Sequence, residues 1–271
     1  HHGTLRGRSV GTAGSQAHLV TNGGVIGGAV RLRWVPSDQD TEATNSRNVN
    51  TDAGHVDLAD GLYQGGPSNG SNATAVTYAG WFRFNPTPTY EEYPIPRPLG
   101  WRLWSTHTVN GSFQGFKVQA KTFGDKGIDM ASMSEPTHPV HAVGPATANP
   151  NVHPNVQPGF DLFDGQWHHV VWTQTDDDPN INGNQTVQKV YIDGVIAAND
   201  SSSNPSASID PDSYSQGGHN LVLGGGHFYR SAGNGGPLTV GAFDGWIDDF
   251  RIYDEALGDV AVQSLYTQVP E

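Results

Sequence analysis

The sequence predicts an all-β protein, built as a two-sheet antiparallel β-sandwich with a short C-terminal helix. The composition is the first indication, because 35 glycines and 18 prolines occur among 271 residues, of which only 35% are hydrophobic. This balance is typical of many short strands joined by generous loops. Turn-forming clusters of Gly, Asn, Asp or Pro also separate strand-like segments along the whole chain. One segment has helical periodicity, at Asp259–Tyr266.

The individual strands are predicted from apolar alternation and from the turn residues that bound them. At Lys189–Asp193 apolar and polar residues alternate, as in a half-buried strand, and Asp193-Gly194 then predicts a hairpin turn. The predicted strands are Ala29–Trp34, His55–Leu58, Ala75–Phe84, Arg102–His107, Phe113–Lys121, Gly127–Ser132, Trp167–Thr175, Thr186–Ile192, Asn220–Gly224 and Gly245–Tyr253.

Charge and composition exclude several classes of partner and site. The formal charge is −13, with 21 Asp and 6 Glu, and no cluster of Lys and Arg forms a surface for nucleic acid. The absence of cysteine excludes disulfides and thiolate metal sites. No apolar run approaches membrane-spanning length, so we expect no membrane insertion. The short Asp side chains can instead supply, from turns, the oxygen ligands that calcium prefers.

The organisation of the chain predicts one domain, residues 1–271, with long loop insertions at about 85–100 and 124–159. The first loop is proline-rich, the second is Pro- and His-rich around at most one strand, and residues 198–218 form a third, polar loop. The chain begins His1-His2-Gly3, without Met or a signal peptide. We therefore expect a processed piece of a longer protein, tethered to further domains.

Four motifs in the second half occur in a defined order. They are GQWHHVVW at Gly165–Trp172, VYIDG at Val190–Gly194, LVLGG at Leu221–Gly225 and FDGWIDDFRIY at Phe243–Tyr253, followed by Glu255-Ala256-Leu257. This series resembles the laminin-G-like, concanavalin A-like jelly-roll domains of large secreted and surface proteins. The first half matches more loosely, at Gly27–Val30, Val56–Gly61 and Thr77–Phe84. The resemblance implies a jelly roll and an extracellular or cell-surface location.

Asp248 is the most informative carboxylate. Strict alternation in the last strand places it on one face with Trp246, Phe250 and Ile252. A carboxylate there is costly to bury unless it is paired or bound to a metal. The resemblance implies a structural Ca²⁺ at this position, with further ligands in the Asp60-Gly61 turn. The alternative is a carboxylate that accepts hydrogen bonds from backbone amides at the sheet edge.

A second oxygen cluster follows the D-x-N-x-N-G opening of a calcium loop, at Asp178, Asn180, Asn182 and Gly183. Lys189 stands where such a loop would place its bidentate Glu, and no helix flanks the segment. A solvated hairpin with an Asn-Gly turn is the favoured alternative.

The histidines give weaker metal candidates. His168 and His169 are adjacent in a strand and must point to opposite faces, so they cannot both serve one site and are interpreted as scaffold. His138, His141 and His153 could be gathered by the 124–159 loop, although no nearby acid supports them.

Catalytic signatures are missing. The E-x-D-x-x-E strand of sandwich glucanases, the R-x-E-x-R strand of alginate lyases and the G-x-S-x-G elbow do not occur. The sequence therefore predicts no enzyme, but an extracellular recognition or adhesion module with a glycan, or a surface protein, as partner. The alternatives are a structural subunit or spacer and, less favoured, a lyase or hydrolase with a site in the 124–159 loop. The aromatic residues expected to bind the glycan from loops are Tyr90, Tyr93, Trp101, Phe228 and Tyr229.

Overall fold

The structure is a computed structural model. It describes residues 3–6, 17–33, 55–58, 75–85, 101–106, 116–121, 127–132, 140–142, 162, 164–175, 186–202, 221–224, 227–229, 237–239 and 243–268. The strands are β1 (Gly3–Arg6), β2 (Ala17–Val20), β3 (Ala29–Leu32), β4 (His55–Leu58), β5 (Ala75–Phe84), β6 (Trp101–Arg102), β7 (Trp104–Thr106), β8 (Phe116–Lys121), β9 (Gly127–Ser132), β10 (Val140–Ala142), β11 (Trp167–Thr175), β12 (Thr186–Ile192), β13 (Val195–Ser202), β14 (Leu221–Leu223), β15 (His227–Tyr229), β16 (Pro237–Thr239) and β17 (Gly245–Tyr253). The helix α1 spans Asp259–Thr267. No helix in these ranges is long and apolar enough to cross a membrane.

The strands form two layers, as the sequence predicts. One layer is a seven-stranded antiparallel sheet in the order β13-β12-β11-β5-β17-β3-β2. The sheet β1-β4-β14-β7 packs against it, and the sheet β10-β9-β8-β6 adjoins this second layer because a single residue, Leu103, separates β6 from β7. At its far side β10 lies beside β12 and β13. The remaining pair is β15 with β16.

The core lies between the two layers and is rich in aromatic rings. Tyr78 of β5 stacks on Trp104 of β7 with 5.8 Å between ring centroids, so one contact joins the layers directly. Phe82 and Trp172 extend the cluster within the seven-stranded sheet. Val56 and Leu223 close it from the second layer. Burial of large rings is the main stabilising term in such a sandwich.

The opposite side of the seven-stranded sheet, here called the outer face, is partly covered by α1. Val262 of the helix is fully buried against Ala79, Val171 and Tyr191. The hydroxyl of Thr77 accepts the Leu257 N–H at 2.9 Å and donates to the Glu255 carbonyl at 2.6 Å. The approach to the helix is thereby fixed to the sheet, and the helical pattern around Val262 is explained by this apolar contact.

One extra residue in β17 overturns the strict alternation predicted for the last strand. Asp248 pairs with Trp81, but Arg251 pairs with Ala79, so β17 carries a bulge of one residue between them. Asp249, in this bulge, has φ of 45°. Before the bulge Ile247 points into the core; after it Phe250 and Ile252 do. Asp248 therefore faces outward beside Trp81, and the prediction that it shares a face with Phe250 and Ile252 is wrong.

The hairpin predicted at Asp193-Gly194 is confirmed. Ile192 pairs with Val195 across a two-residue turn, whose φ angles are 52° and 75°. Positive φ at both central positions is the type I′ arrangement that suits the twist of paired strands.

Three predictions about loops are wrong. The expected polar loop at 198–218 begins inside β13, which continues to Ser202. The 124–159 segment holds two strands, β9 and β10, where at most one was expected. Trp101 begins β6, and Phe228 and Tyr229 belong to β15, so these three aromatics are not in loops. In each case pairing with a neighbouring strand supplies hydrogen bonds that local composition does not reveal.

Candidate functional site

The Asp248 carboxylate is nearly buried, with 9% exposure, and both of its oxygens accept backbone hydrogen bonds. Oδ2 accepts from Ile26 N at 2.7 Å and Oδ1 accepts from Asp249 N at 2.8 Å. This geometry is the hydrogen-bonded alternative considered for Asp248. The described residues contain no group of three or more His, Cys, Asp or Glu that could hold a metal ion. The other proposed calcium ligands, Asp60, Gly61, Asp178, Asn180 and Asn182, lie outside the described residues.

Calcium at Asp248 stays a prediction, and thermal melting tests it. A bound ion stabilises the folded state by about 2.7 kcal/mol at a hundredfold excess over Kd. We expect EDTA to lower the melting temperature and Asp248→Ala to abolish the difference between EDTA and Ca²⁺. Superimposable melting curves of the unchanged protein in EDTA and Ca²⁺ would leave Asp248 as a hydrogen-bonding residue of the bulge.

The two adjacent histidines of β11 point to opposite faces, as predicted. Nδ1 of His168 lies 2.8 Å from Asp193 Oδ2, and its Nε2 lies 3.1 Å from Asp164 Oδ1. Burial by itself lowers the pKa of His168, but the two carboxylates outweigh burial and the pKa is raised. His169 packs against the ring of Trp81, with 5.0 Å between centroids, and burial lowers its pKa to about 4. Each histidine therefore has its own structural surroundings on its own face.

The buried His169 predicts a specific loss of stability in acid. Its pKa in the folded protein is about 4, against an ordinary value of 6.5, so the unfolded chain takes up the proton first as the pH falls. The stability that neutral His169 contributes is present above pH 6.5 and is lost progressively towards pH 4. When the pH is lowered from 7.5 to 4.5, the unfolding free energy of both proteins should fall. The fall should be roughly 2–3 kcal/mol smaller for His169→Phe than for the unchanged protein. Urea denaturation at both pH values measures this difference, and equal losses would contradict the assignment.

A row of basic and aromatic side chains crosses the outer face of the seven-stranded sheet, on five neighbouring strands. His18 of β2 pairs with Arg31 of β3, and Arg31 pairs with Trp246 of β17. Trp246 in turn pairs with Arg83 of β5, which pairs with Trp167 of β11. Directly paired residues share a face of the sheet, so these five form one continuous line. We call it the arginine–tryptophan row.

Arg31 is the anchored cation of the row. Its guanidinium carbon lies 4.1 Å from the centroid of the Trp246 ring, which is a cation–π contact. Its Nη2 forms an ion pair with Asp244 at 2.6 Å, and its Nη1 donates to the carbonyls of Gly245, at 2.9 Å, and Leu32. With 8% exposure, Arg31 is buried, and its Nη1 and Nη2 are engaged within the protein.

Arg83 has the same ring contact but fewer partners. Its guanidinium carbon lies 4.8 Å from the Trp246 centroid, and its Nε donates to the Gly165 carbonyl at 2.6 Å. No further hydrogen bond or ion pair joins Nη1 or Nη2 to another described residue. Arg83 and the neighbouring Trp167 are both half-buried and so reach solvent.

The row lies at the end of the sheet from which the 85–100 segment departs. β5 ends at Phe84, one residue after Arg83, and Asn85 donates to the Asp244 carboxylate at 3.2 Å. Tyr90 and Tyr93 belong to this segment and lie outside the described residues. The side chains of Trp101, Phe228, Tyr229 and His141 are likewise not described, nor are His138 and His153.

Sequence reasoning missed the row because each member is one outward position in a different strand. Apolar alternation in Trp81–Phe84 marks Arg83 as outward, and Val30-Arg31-Leu32 does the same for Arg31. Placing these positions side by side requires the register of five strands, which no local pattern provides.

A cleft between the two layers has a mostly apolar lining and so differs from the arginine–tryptophan row. Its volume is about 700 Å³ and it opens beside β17, next to the bulge. The two acids in its lining are already engaged: Asp248 accepts backbone amides, and Asp249 forms a two-point ion pair with Arg251 at 2.7 and 2.9 Å. Most of the remaining lining is apolar: Leu5, Leu19, Val20, Ala29, Val30, Val56, Leu223, Ile247, Phe250 and Ile252. The cleft therefore presents few polar groups to a hydroxyl-rich ligand, whereas the row presents several.

Comparison with known proteins supports the fold. No protein-family model matches the chain, and no curated protein matches it in sequence. A solved structure described as a receptor binding domain matches with a TM-score of 0.51 and 11% identity, over 99% of this chain and 47% of its own length. The binding domain of botulinum neurotoxin serotype C1 matches with a TM-score of 0.50 and 10% identity, over 99% of this chain and 48% of its own. The chain spans less than half of either structure, and the likeness identifies the fold class as a jelly-roll β-sandwich.

Proposed function

We propose that this chain is a non-catalytic carbohydrate-binding module and that the arginine–tryptophan row is its glycan-binding surface. The observation that carries the proposal is Arg83, which is flanked by Trp246 and Trp167 and whose terminal amino groups form no hydrogen bond or ion pair with another described residue. Sugars present apolar C–H faces and polar hydroxyls together. The ring of Trp167 can pack against such a face, and the guanidinium of Arg83 can donate to the hydroxyl oxygens.

The sheet makes the row a rigid platform. Its members stand on strands that are paired on both sides, apart from the edge strand β2. Arg31 is fixed by Asp244, so the ring of Trp246 is held from one neighbouring strand before any ligand arrives. A preformed surface loses little conformational entropy on binding, so a few contacts can suffice for a weak, specific interaction.

The chemistry of the row is that of a binding surface. Hydrolysis of a glycosidic bond normally uses two carboxyl groups about 5–9.5 Å apart, one of them free to donate a proton. Asp244, which lies beside the row, is ion-paired with Arg31 and accepts a hydrogen bond from Asn85. The two similar solved structures are themselves described as binding domains.

The setting of the module is part of the same proposal. The four motifs between residues 165 and 257 resemble laminin-G-like domains, and we propose an extracellular or cell-surface location on that ground. We also propose that the module works as one unit of a longer chain, in which weak sites gain strength through multivalent display. Tyr90 and Tyr93, on the segment that departs beside Arg83, are proposed to extend the surface.

A glycan array with matched aromatic variants tests the function. We expect binding with a Kd on the order of micromolar to millimolar, and Trp167→Ala should weaken it about tenfold or more because a partly exposed ring is lost. Tyr253→Ala is the control, because it removes a ring from the outer face of β17 beyond the bulge and outside the row.

Two results would contradict the proposal. Equal weakening by Trp167→Ala and Tyr253→Ala would show that loss of any outer ring perturbs the sheet. Release of new reducing ends or unsaturated sugars from a polysaccharide incubated with the protein would show that the module is an enzyme.

A further inference from the structure

We infer that the glycan bound by the arginine–tryptophan row is acidic, and that Arg83 binds its carboxylate or sulfate group. This inference rests on the proposed glycan-binding function and specifies the chemistry of the ligand. It follows from the distribution of charge along the row and from the different engagement of its two arginines.

Positive charge is concentrated at the row although the whole chain is acidic. Arg31, Arg33 and Arg83 lie close enough for their charges to act on one another: burial is the main cause that lowers the pKa of Arg31, Asp244 opposes it, and Arg33 and Arg83 lower it further. The chain as a whole carries a formal charge of −13. Two guanidiniums, Arg31 and Arg83, contact Trp246, and one described carboxylate, Asp244, pairs with Arg31, so the described part of the row carries a net positive charge on an anionic protein.

The two arginines that contact Trp246 have different roles. Arg31 is buried, ion-paired with Asp244 and hydrogen-bonded to two carbonyls, so it orients the ring. Arg83 touches the same ring and one carbonyl, that of Gly165, and no described carboxylate lies within ion-pairing distance of it. One arginine thus holds the platform and the other is left to meet the ligand.

An anionic group fits Arg83 better than a neutral hydroxyl does. A half-buried cation without a counter-charge has lost part of its hydration, and a ligand anion restores that interaction. The two terminal amino groups of a guanidinium match the paired oxygens of a carboxylate or sulfate in a bidentate arrangement. Hydrogen bonds of this charge-assisted kind are roughly twice as strong as those to neutral groups.

A polysaccharide is favoured over a nucleic acid as the source of the anion. Nucleic-acid surfaces carry an extended stripe of Lys and Arg that neutralises many phosphates. Here the cations of the row are gathered around a single ring, so they can meet one anionic group but do not form a stripe along which successive phosphates could bind. Short-range contacts at one acidic sugar are the interaction that this arrangement supports.

The inference is tested with three polysaccharides of different charge: alginate, which carries carboxylates; heparin, which carries sulfates as well; and dextran, which is neutral. Binding is followed by isothermal titration calorimetry in low salt. We expect alginate or heparin to bind at least about tenfold more tightly than dextran, and Arg83→Gln to weaken that binding about tenfold or more. Arg83→Lys keeps the charge but loses the planar fork, so its affinity should lie between those of the unchanged protein and Arg83→Gln.

Lys189→Gln is the matched control. Lys189 lies on the outer face of β12, where its Nζ contacts Asp259 at 3.2 Å, and the substitution removes the same single charge away from the row. It should leave the affinity for acidic polysaccharide unchanged. Poly(U) is included as a polyanion without acidic sugars, and we expect at least tenfold weaker binding to it than to the better acidic polysaccharide.

Failure of the acidic-ligand inference and failure of the proposed glycan-binding function would give different results. If dextran binds as tightly as the acidic polysaccharides and Arg83→Gln changes nothing, the acidic-ligand inference is wrong while glycan binding stands. If none of the three polysaccharides binds, the proposed function is wrong and the inference fails with it. Preference for poly(U) would assign the row to nucleic acid and overturn both. Should Arg83→Gln fail to fold, the charge preference of the unchanged protein and the Arg83→Lys variant still decide the question.

Discussion

The bulge in β17 is the constraint on which both faces of the seven-stranded sheet depend. β17 lies between β5 and β3, and its one extra residue reverses the inward and outward positions partway along the strand. Asp249 adopts a left-handed φ of 45° there, and the Asp248 carboxylate accepts the Asp249 N–H. The same carboxylate accepts Ile26 N–H, which ties the 21–28 turn to the bulge. Without the reversal, Phe250 and Ile252 would leave the core.

The reversal also divides the outer face into two regions. Beyond the bulge the sheet is covered by α1, whose Val262 is buried against Ala79 and Val171. Tyr266 of the helix also stacks on Trp81, the residue paired with Asp248 next to the bulge, with 5.6 Å between centroids. Before the bulge the face carries the arginine–tryptophan row, where Trp246 and Arg83 keep contact with solvent. The helix therefore packs on one part of the outer face, and the arginine–tryptophan row lies on the other part.

Local patterns were sufficient for the fold class but not for the site. Alternation and turn residues predicted β4, β5, β9, β11, β12 and β17 with their observed limits, and the Asp193-Gly194 turn is the hairpin expected. The bulge escaped prediction because Ile247–Ile252 reads as a regular strand, and its conformation depends on the distant Ile26. The row escaped because its residues meet only through strand register, which is set by tertiary pairing. Predictions at Tyr90, Asp60 and Asp178 lie outside the described residues.

The central claim is that one cationic, aromatic row on the outer face receives an acidic glycan. Two-dimensional nitrogen–proton NMR, with an acidic oligosaccharide titrated into labelled protein, tests it most directly. The account predicts progressive shifts of the indole N–H signals of Trp167 and Trp246 and of the Arg83 Nε–H signal, while the buried indoles of Trp104 and Trp172 stay in place. Shifts confined to Trp101, with Trp167, Trp246 and Arg83 unmoved, would place the binding site elsewhere and contradict the claim.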